Sequence, residues 1–355
     1  MKSYGKLFER VIDFENLWLA YRRARKGKRS RPDMAAFEYQ LEGELYALRE
    51  ELASGAYRPG PYRHFRITEP KPRIISAAPF RDRVAHHALY QVLAPIFEPR
   101  FIADSYACRV GKGTHRAILR CQQFQRRFAY RMQCDIVRFF PSVDHRILGA
   151  CIARRIRDPR VMDLVRAILA SGADIPDEDP PPPHWFSGDD LLAPLRPRGL
   201  PIGNLTSQFW ANVYLDPLDH FVKEDLRCRG YVRYCDDFIL FADLPAQLRE
   251  WRARVMECLA GLRLRLHAGR CHVVAAHHGI PFLGFRIFPD RRLLLRQGVR
   301  RFRRRLRLLQ QGFSAGAVSA TRISQSVRSW VAHAVWGNTA GLRRAVQAPV
   351  VFTRG

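Results

Sequence analysis

Apolar residues recur along this chain in two rhythms, one near 3.6 residues and one of two, and the switches between them mark out its elements. Leu41, Leu45, Leu48 and Leu52 fall at three- and four-residue steps before Gly55 and Pro59 close the pattern, so residues 1 to about 60 read as helices. Strand-like positions follow at Phe65, Ile67, Ile74 and Ile75. A helix is predicted from Arg81 to about Phe97, and another near Thr114 to Phe128 after the Gly111-Lys112-Gly113 turn. From Arg131 to Phe140 the pattern is that of a strand: Met132, Cys134 and Ile136 share one face and Asp135 projects from the other. Gly199 to Gln208 is a Gly-bearing turn that runs into an apolar helix through Phe209, Trp210 and Tyr214. Val232, Tyr234, Phe238 and Leu240 read as buried strand positions on either side of a tight bend at Asp236-Asp237. From about residue 290, Val299, Phe302, Leu306 and Leu309 make an apolar helical stripe. The segment 172–198 is acidic and proline-rich, which predicts an irregular surface loop, and no internal repeat is evident.

Charge adds a partner to this outline. The 355 residues carry 60 Lys+Arg against 33 Asp+Glu, a net charge of +27 that predicts a polyanionic partner, nucleic acid above all. The basic residues cluster early (Arg22, Arg23, Arg25, Lys26, Lys28, Arg29, Arg31) and late (Arg291, Arg292, Arg296, Arg300, Arg301, Arg303, Arg304, Arg305, Arg307). The late run surrounds the apolar stripe, so that helix either lies along a phosphate backbone or is simply a solvated face. Its eight cysteines show no Cys-x-x-Cys pair and read as reduced thiols of a cytoplasmic protein. Cys271-His272 with His277-His278 matches no standard zinc spacing. The N-terminus lacks the apolar core of a signal peptide, and the apolar runs are too short to span a bilayer, so no membrane role is expected.

The candidate chemistry lies in the acids. Two adjacent carboxylates at Asp236 and Asp237 repel each other unless a cation sits between them, and hard oxygen ligands suit Mg²⁺. Turn chemistry alone is the other explanation of such a pair. Asp135, on its own strand, is a candidate third ligand. Two-metal nucleotidyl transfer needs carboxylates that hold two ions about 3.5–4 Å apart.

In sequence order, Asp135 to Phe140, Gly199 to Gln208, Tyr234-Cys235-Asp236-Asp237 and Phe282-Leu283-Gly284-Phe285 resemble the palm motifs of reverse transcriptases. Lys71 to Ile75, Arg81 to His86 and Ser105 to Gly113 resemble the finger motifs of prokaryotic members. The resemblance covers almost the whole chain. It implies an α+β fold, a right-hand polymerase with fingers, an antiparallel-sheet palm of RRM-like topology and a helical thumb. The divisions expected are N-terminal helices and fingers over 1–130, palm over 131–289 and thumb over 290–355. That length leaves little room for an added ribonuclease H or endonuclease domain. The implied activity is RNA-directed DNA polymerisation with two Mg²⁺ ions, for which Mn²⁺ could substitute, using an RNA template, a DNA or RNA primer and dNTPs. Asp135, Asp236 and Asp237 would be the catalytic acids, and the same three with Ile136 would hold the metals. Lys71, Arg73, Phe140, Ile202 and Gly203 would meet the dNTP, with Phe140 at the family's steric-gate position and Ile202 where the family usually has a hydrogen-bonding Gln. Arg109, Lys112, Arg300, Arg303, Arg304 and Arg307 would bind nucleic acid. Arg270 stands where lysine is common.

The wording from Ile202 to Gln208, and Ser329 to His333, is similar to reverse transcriptases of diversity-generating retroelements. Those enzymes copy a template-repeat RNA into cDNA with frequent errors at adenines for mutagenic retrohoming, with a small basic accessory protein oligomer as a further expected partner. A defence-associated enzyme, retron-like or abortive-infection-like, is the alternative, though the Asn-Ala-x-x-His and Val-Thr-Gly signatures of retron enzymes are missing. A catalytically dead nucleic-acid-binding scaffold would not need all three acids.

Overall fold

The structure is a computed structural model that describes residues 3–28, 31–69, 72–173 and 184–353. The N-terminal third is helical: α1 (Phe8–Ile12), α2 (Phe14–Arg25), α3 (Pro32–Tyr39) and α4 (Leu41–Ser54) precede a hairpin of β1 (Arg63–Ile67) and β2 (Arg73–Ala77). The leucine spacing that predicts α4 is borne out, with Leu45, Leu48 and Leu52 buried and Gly55 ending the helix in the left-handed conformation at φ +76°. Next come α5 (Phe80–Phe97), α6 (Thr114–Arg127), β3 (Tyr130–Asp135), α7 (Phe139–Ser142), α8 (His145–Ala153) and α9 (Pro159–Ala170). The helix α10 (Leu205–His220) continues through one π-helical turn to Asp225 and leads into the hairpin of β4 (Gly230–Tyr234) and β5 (Asp237–Ala242). After α11 (Pro245–Gly261) and β6 (Val273–Ala275), a small sheet forms from β7 (Ile280–Phe282), β8 (Phe285–Ile287) and β9 (Arg292–Leu294). Three helices close the chain: α12 (Arg296–Ser314), α13 (Ala320–Ala334) and α14 (Ala340–Gln347).

The central sheet has the order β4-β5-β3-β6, with every pairing antiparallel. With helices between β3 and β4 and α11 between β5 and β6, this is a split β-α-β-β-α-β unit, and the fold is α+β. The strand β5 is apolar on both faces because each face has its own core. Phe238 and Leu240 pack with Met132, Cys134 and the helices α5 and α10, whereas Ile239 and Phe241 join Val232 against α6 and the β7–β8 hairpin. A third core, Val299, Phe302, Leu306 and Val346, holds the C-terminal helices, where the Trp330 ring stacks on Phe302 at 4.2 Å.

One buried ion pair fixes the β4–β5 hairpin to its surroundings. Arg233 and Asp219 are both 0% exposed, and Arg233 Nε and Nη2 donate to the two carboxylate oxygens at 2.7 and 2.6 Å. The remaining guanidinium bonds reach Ser105 Oγ at 3.0 Å, Asn212 Oδ1 at 3.1 Å and the Cys235 carbonyl at 3.1 Å. Tyr231 adds a hydrogen bond to Asp219 at 2.8 Å. Five-donor saturation of this kind is what makes a buried guanidinium tolerable. Among the described residues no helix is long and apolar enough to cross a membrane, and all eight cysteines are free thiols.

Removing one partner strands the other charge in an apolar interior. Asp219→Asn should therefore lose about 3–5 kcal/mol of stability in urea denaturation. The paired Arg233→Met, Asp219→Leu change should recover much of that loss; equal losses in both variants would mean that the charge pairing is not the source.

Candidate active site

The register of the central sheet brings the predicted acids together. Asp135 ends β3 directly opposite Asp237, the first residue of β5, and Cys235-Asp236 forms the two-residue loop of the β4–β5 hairpin. Cys235 has φ +59° whereas Asp236 does not enter the positive region, the sign pattern of a type II′ turn with a side chain where glycine is usual. The Arg233 bond to the Cys235 carbonyl holds this loop from behind.

Asp236 carries the electrostatic signature of a crowded acid. Burial raises its pKa first and the Asp135 charge raises it further, while Arg73 at the start of β2 pulls it down. Asp135 and Arg73 thus act on the Asp236 carboxylate with opposite sign. Asp135 is met by Arg270, whose Nη1 donates to Oδ2 at 2.6 Å, and its carbonyl accepts from His267 N at 2.8 Å. Asp237 has turned aside: Gln133 Nε2 donates to its two oxygens at 3.0 and 3.2 Å. Accordingly, no group of three or more His, Cys, Asp or Glu converges as a metal set among the described residues, the Cys271 to His278 segment included. Two carboxylates, one half-buried and repelled by the other, nevertheless fit a hard divalent cation, which commonly takes one or two protein carboxylates. Ile136 lies beside them, in an antiparallel bridge with Leu266.

The Gly199 to Gln208 turn packs on β2. Ser76 N donates to the Ile202 carbonyl at 3.0 Å, and Asn204 is a buried cross-link whose Nδ2 donates to the Ser76 carbonyl at 2.8 Å and whose Oδ1 accepts from Ala78 N at 3.3 Å. Gly203 has φ +114°, and a Cβ there would sit 2.8 Å from Ile75 Cγ2, so this position needs glycine twice over. Ile202 is half-buried and Gly203 exposed. Of the two phenylalanines after Asp135, Phe139 is the core residue and Phe140 is half-buried, its carbonyl accepting from Leu200 N at 2.9 Å. Lys71 lies outside the described residues.

The basic residues divide into free and engaged. Arg300, Arg303, Arg304 and Arg307 are exposed on α12, Arg304 pairing at 3.4 Å with Glu69 between β1 and β2. Arg109, expected to bind nucleic acid, is engaged internally: its side chain is only 7% exposed, pairs with Glu98 at 2.9 Å and caps the carbonyls of Ile102, Ser105 and Glu98. It braces a loop, with four of its five N–H donors spent on that loop and on Glu98. Lys112 is likewise bound internally, to the Ala103 carbonyl at 2.6 Å and over the Tyr106 ring. A cluster missed as such in the sequence is Lys28, Arg31, Arg63 and Arg83, with burial and mutual repulsion lowering Lys28 and Arg83 and Asp33 as the acid that opposes it. Sequence separation hid it. Gln133 could have been found, since it shares the Asp135 face of β3 by simple alternation.

Residues 67–287 match the family model described as reverse transcriptase (RNA-dependent DNA polymerase). The chain is 27% identical to Protein YkfC of Escherichia coli K12 over 294 residues, 71% of this chain and 73% of that protein. It is 26% identical to the group II intron-encoded protein LtrA of Lactococcus lactis over 189 residues, 52% of this chain and 29% of that one. It is 24% identical to the mitochondrial nuclear intron maturase 1 of Arabidopsis thaliana over 182 residues, 41% and 26% of the two chains. The chain thus spans roughly a quarter to three quarters of these relatives.

Removing the carboxylate at the hairpin loop removes a like-charge repulsion. Asp236→Asn should melt no lower than the native chain in a metal chelator, and should lose the upward melting shift that added Mg²⁺ gives the native chain. A native chain that shows no Mg²⁺ shift would sink the metal reading of this pair.

Proposed function

The chain belongs to the reverse transcriptase family, and we propose from that premise that it is an RNA-directed DNA polymerase extending a DNA or RNA primer along an RNA template with dNTPs. The observation that carries this reading is the sheet register that sets Asp135 opposite Asp237 and next to the hairpin loop bearing Asp236, with Asp135 and Arg73 both acting on the Asp236 carboxylate. In this reading Asp135 and Asp236 hold two divalent cations, Mg²⁺ or Mn²⁺ in its place, with the Ile136 main chain beside them. Cations held there by Asp135 and Asp236 would supply activation of the primer hydroxyl and charge stabilisation of the leaving pyrophosphate. Asp237 supports the pair while Gln133 fixes its direction. Arg73, with Lys71, engages the triphosphate through charge-assisted bonds. Phe140 crowds a ribose 2′-hydroxyl, and Gly203 lets the backbone approach the nucleotide. The exposed α12 arginines and the Lys28, Arg31, Arg63 and Arg83 cluster track the phosphates of template and duplex. Residues 1–130, 131–289 and 290–355 then serve as fingers, palm and thumb.

Within that activity we favour the diversity-generating type, which copies a template-repeat RNA with errors at adenines for mutagenic retrohoming. Ile202 supports it, because a side chain with no donor stands where the family's usual Gln positions the sugar. Losing one such bond costs about 1 kcal/mol, enough for a several-fold rise in misincorporation. A group II intron-type enzyme is the second reading, favoured by the likeness to the intron-encoded protein of Lactococcus and the intron maturase of Arabidopsis.

Purified protein with RNA template, primer, Mg²⁺ and dNTPs should extend the primer, and the Asp236→Asn, Asp237→Asn double variant should not, with losses of several orders of magnitude in rate. Persistent extension by the double variant would refute the assignment of the acids. Ile202→Gln should lower misincorporation opposite template adenine several-fold in sequenced cDNA; an unaltered error spectrum would remove the reason for preferring the diversifying type.

A further inference from the structure

Several basic side chains converge on a cavity that the site described above does not use. Arg196, Arg198, Arg263, Arg265 and His184 line it, together with Val137 and Ser142 from the segment that leaves Asp135. Two carboxylates stand among these cations, and both are already committed. Asp144 Oδ1 accepts from the main-chain N–H groups of Arg146 and Ile147, and its Oδ2 accepts from Arg196 Nε at 2.6 Å, with Arg263 Nε at 3.6 Å. Asp189 takes both terminal nitrogens of Arg263 and the Phe186 N–H. Arg198 and Arg265 are left without a carboxylate. The Arg198 guanidinium has no partner among the described residues, and Arg265 Nη1 faces His184 Nδ1 at 3.2 Å.

We propose that this cavity is a binding site for a phosphate group. Two uncompensated guanidinium groups in a concave polar wall attract an anion, and their planar forks match phosphate oxygens. The space is about 50 Å³, which suits a compact tetrahedral group and not a nucleobase. Burial and the neighbouring Arg265 also hold the His184 imidazole below the usual histidine range, an environment that an anion would relieve. The cavity adjoins the candidate active site through its own walls. Val137 N donates to the Arg265 carbonyl at 2.9 Å, and Arg198 immediately precedes Gly199. An occupant would brace residues 184–198 against the segment that follows Asp135. Such a phosphate could belong to a nucleic-acid strand or to a free anion.

The full chain, with ¹⁵N-labelled histidine, is compared with an Arg198→Ser, Arg265→Ser double variant in two arms. In the first, inorganic phosphate is titrated at constant ionic strength while the His184 ring resonances are followed. A saturable shift in the native chain, at least tenfold weaker in the variant, is expected. In the second, single-stranded RNA binding is measured by fluorescence anisotropy across salt concentrations. A salt slope smaller by about 0.7 in the variant identifies a strand phosphate as the occupant, whereas an unchanged slope beside a lost phosphate response identifies a free anion. An absent His184 response together with an unchanged slope overturns the site. Should the double variant fail to fold, Arg198→Glu alone carries the same two measurements, because that side chain is exposed and makes no bond to a described residue.

Discussion

The Arg233–Asp219 pair is the constraint on which the acidic end of the sheet depends. Neither group reaches water, so both charges are tolerable only because five guanidinium bonds and the Tyr231 hydroxyl saturate them. The partners come from α10, from the loop before α6 and from the hairpin itself. One side chain therefore sets where the Cys235 carbonyl lies, and with it the direction in which Asp236 projects. A hydrophobic replacement could hold the sheet together, but it would not fix a carbonyl in space.

The acids are then placed by sheet register and separated by hydrogen bonding. Asp135 and Asp237 are directly opposed, yet Gln133 draws Asp237 away, leaving Asp135 and Asp236 as the mutually repelling pair. Positive charge waits on either side, Arg73 from β2 and Arg270 from the segment after α11. In a chain of net charge +27 the acidic centre is the exception. Its counter-charges are local guanidinium groups whose pairing is exposed enough to exchange for other cations or be drawn to other anions.

Much of this was legible in the sequence, and for identifiable reasons. The leucine spacing of α4, the alternation of β3 and the arginine-flanked stripe of α12 follow from period alone, and Val299, Phe302 and Leu306 are the buried residues of that stripe. The proximity of Asp135 to the Asp236 loop was legible through motif order. What period cannot reveal is which charged side chain is spent on its own backbone. Arg109 sits in a glycine-rich, basic stretch that reads as a nucleic-acid grip, yet the chain folds back so that three carbonyls and Glu98 surround it. Asn204 was opaque for a related reason, since it acts across a sequence gap that only the tertiary register closes.

That register also orders the making of the protein. Tyr130 pairs with Ala242 on one side and Ala275 on the other, whereas α1 to α4 pack mostly on one another and on α5. During synthesis at about 5–20 residues per second, β3 waits on the order of ten seconds for β5 to emerge. The N-terminal helices can pack during that interval, but the acids cannot meet. A ribosome must pass well beyond the hairpin before the nascent chain holds a complete centre, so a truncated product ending before β5 carries Asp135 with no opposing strand.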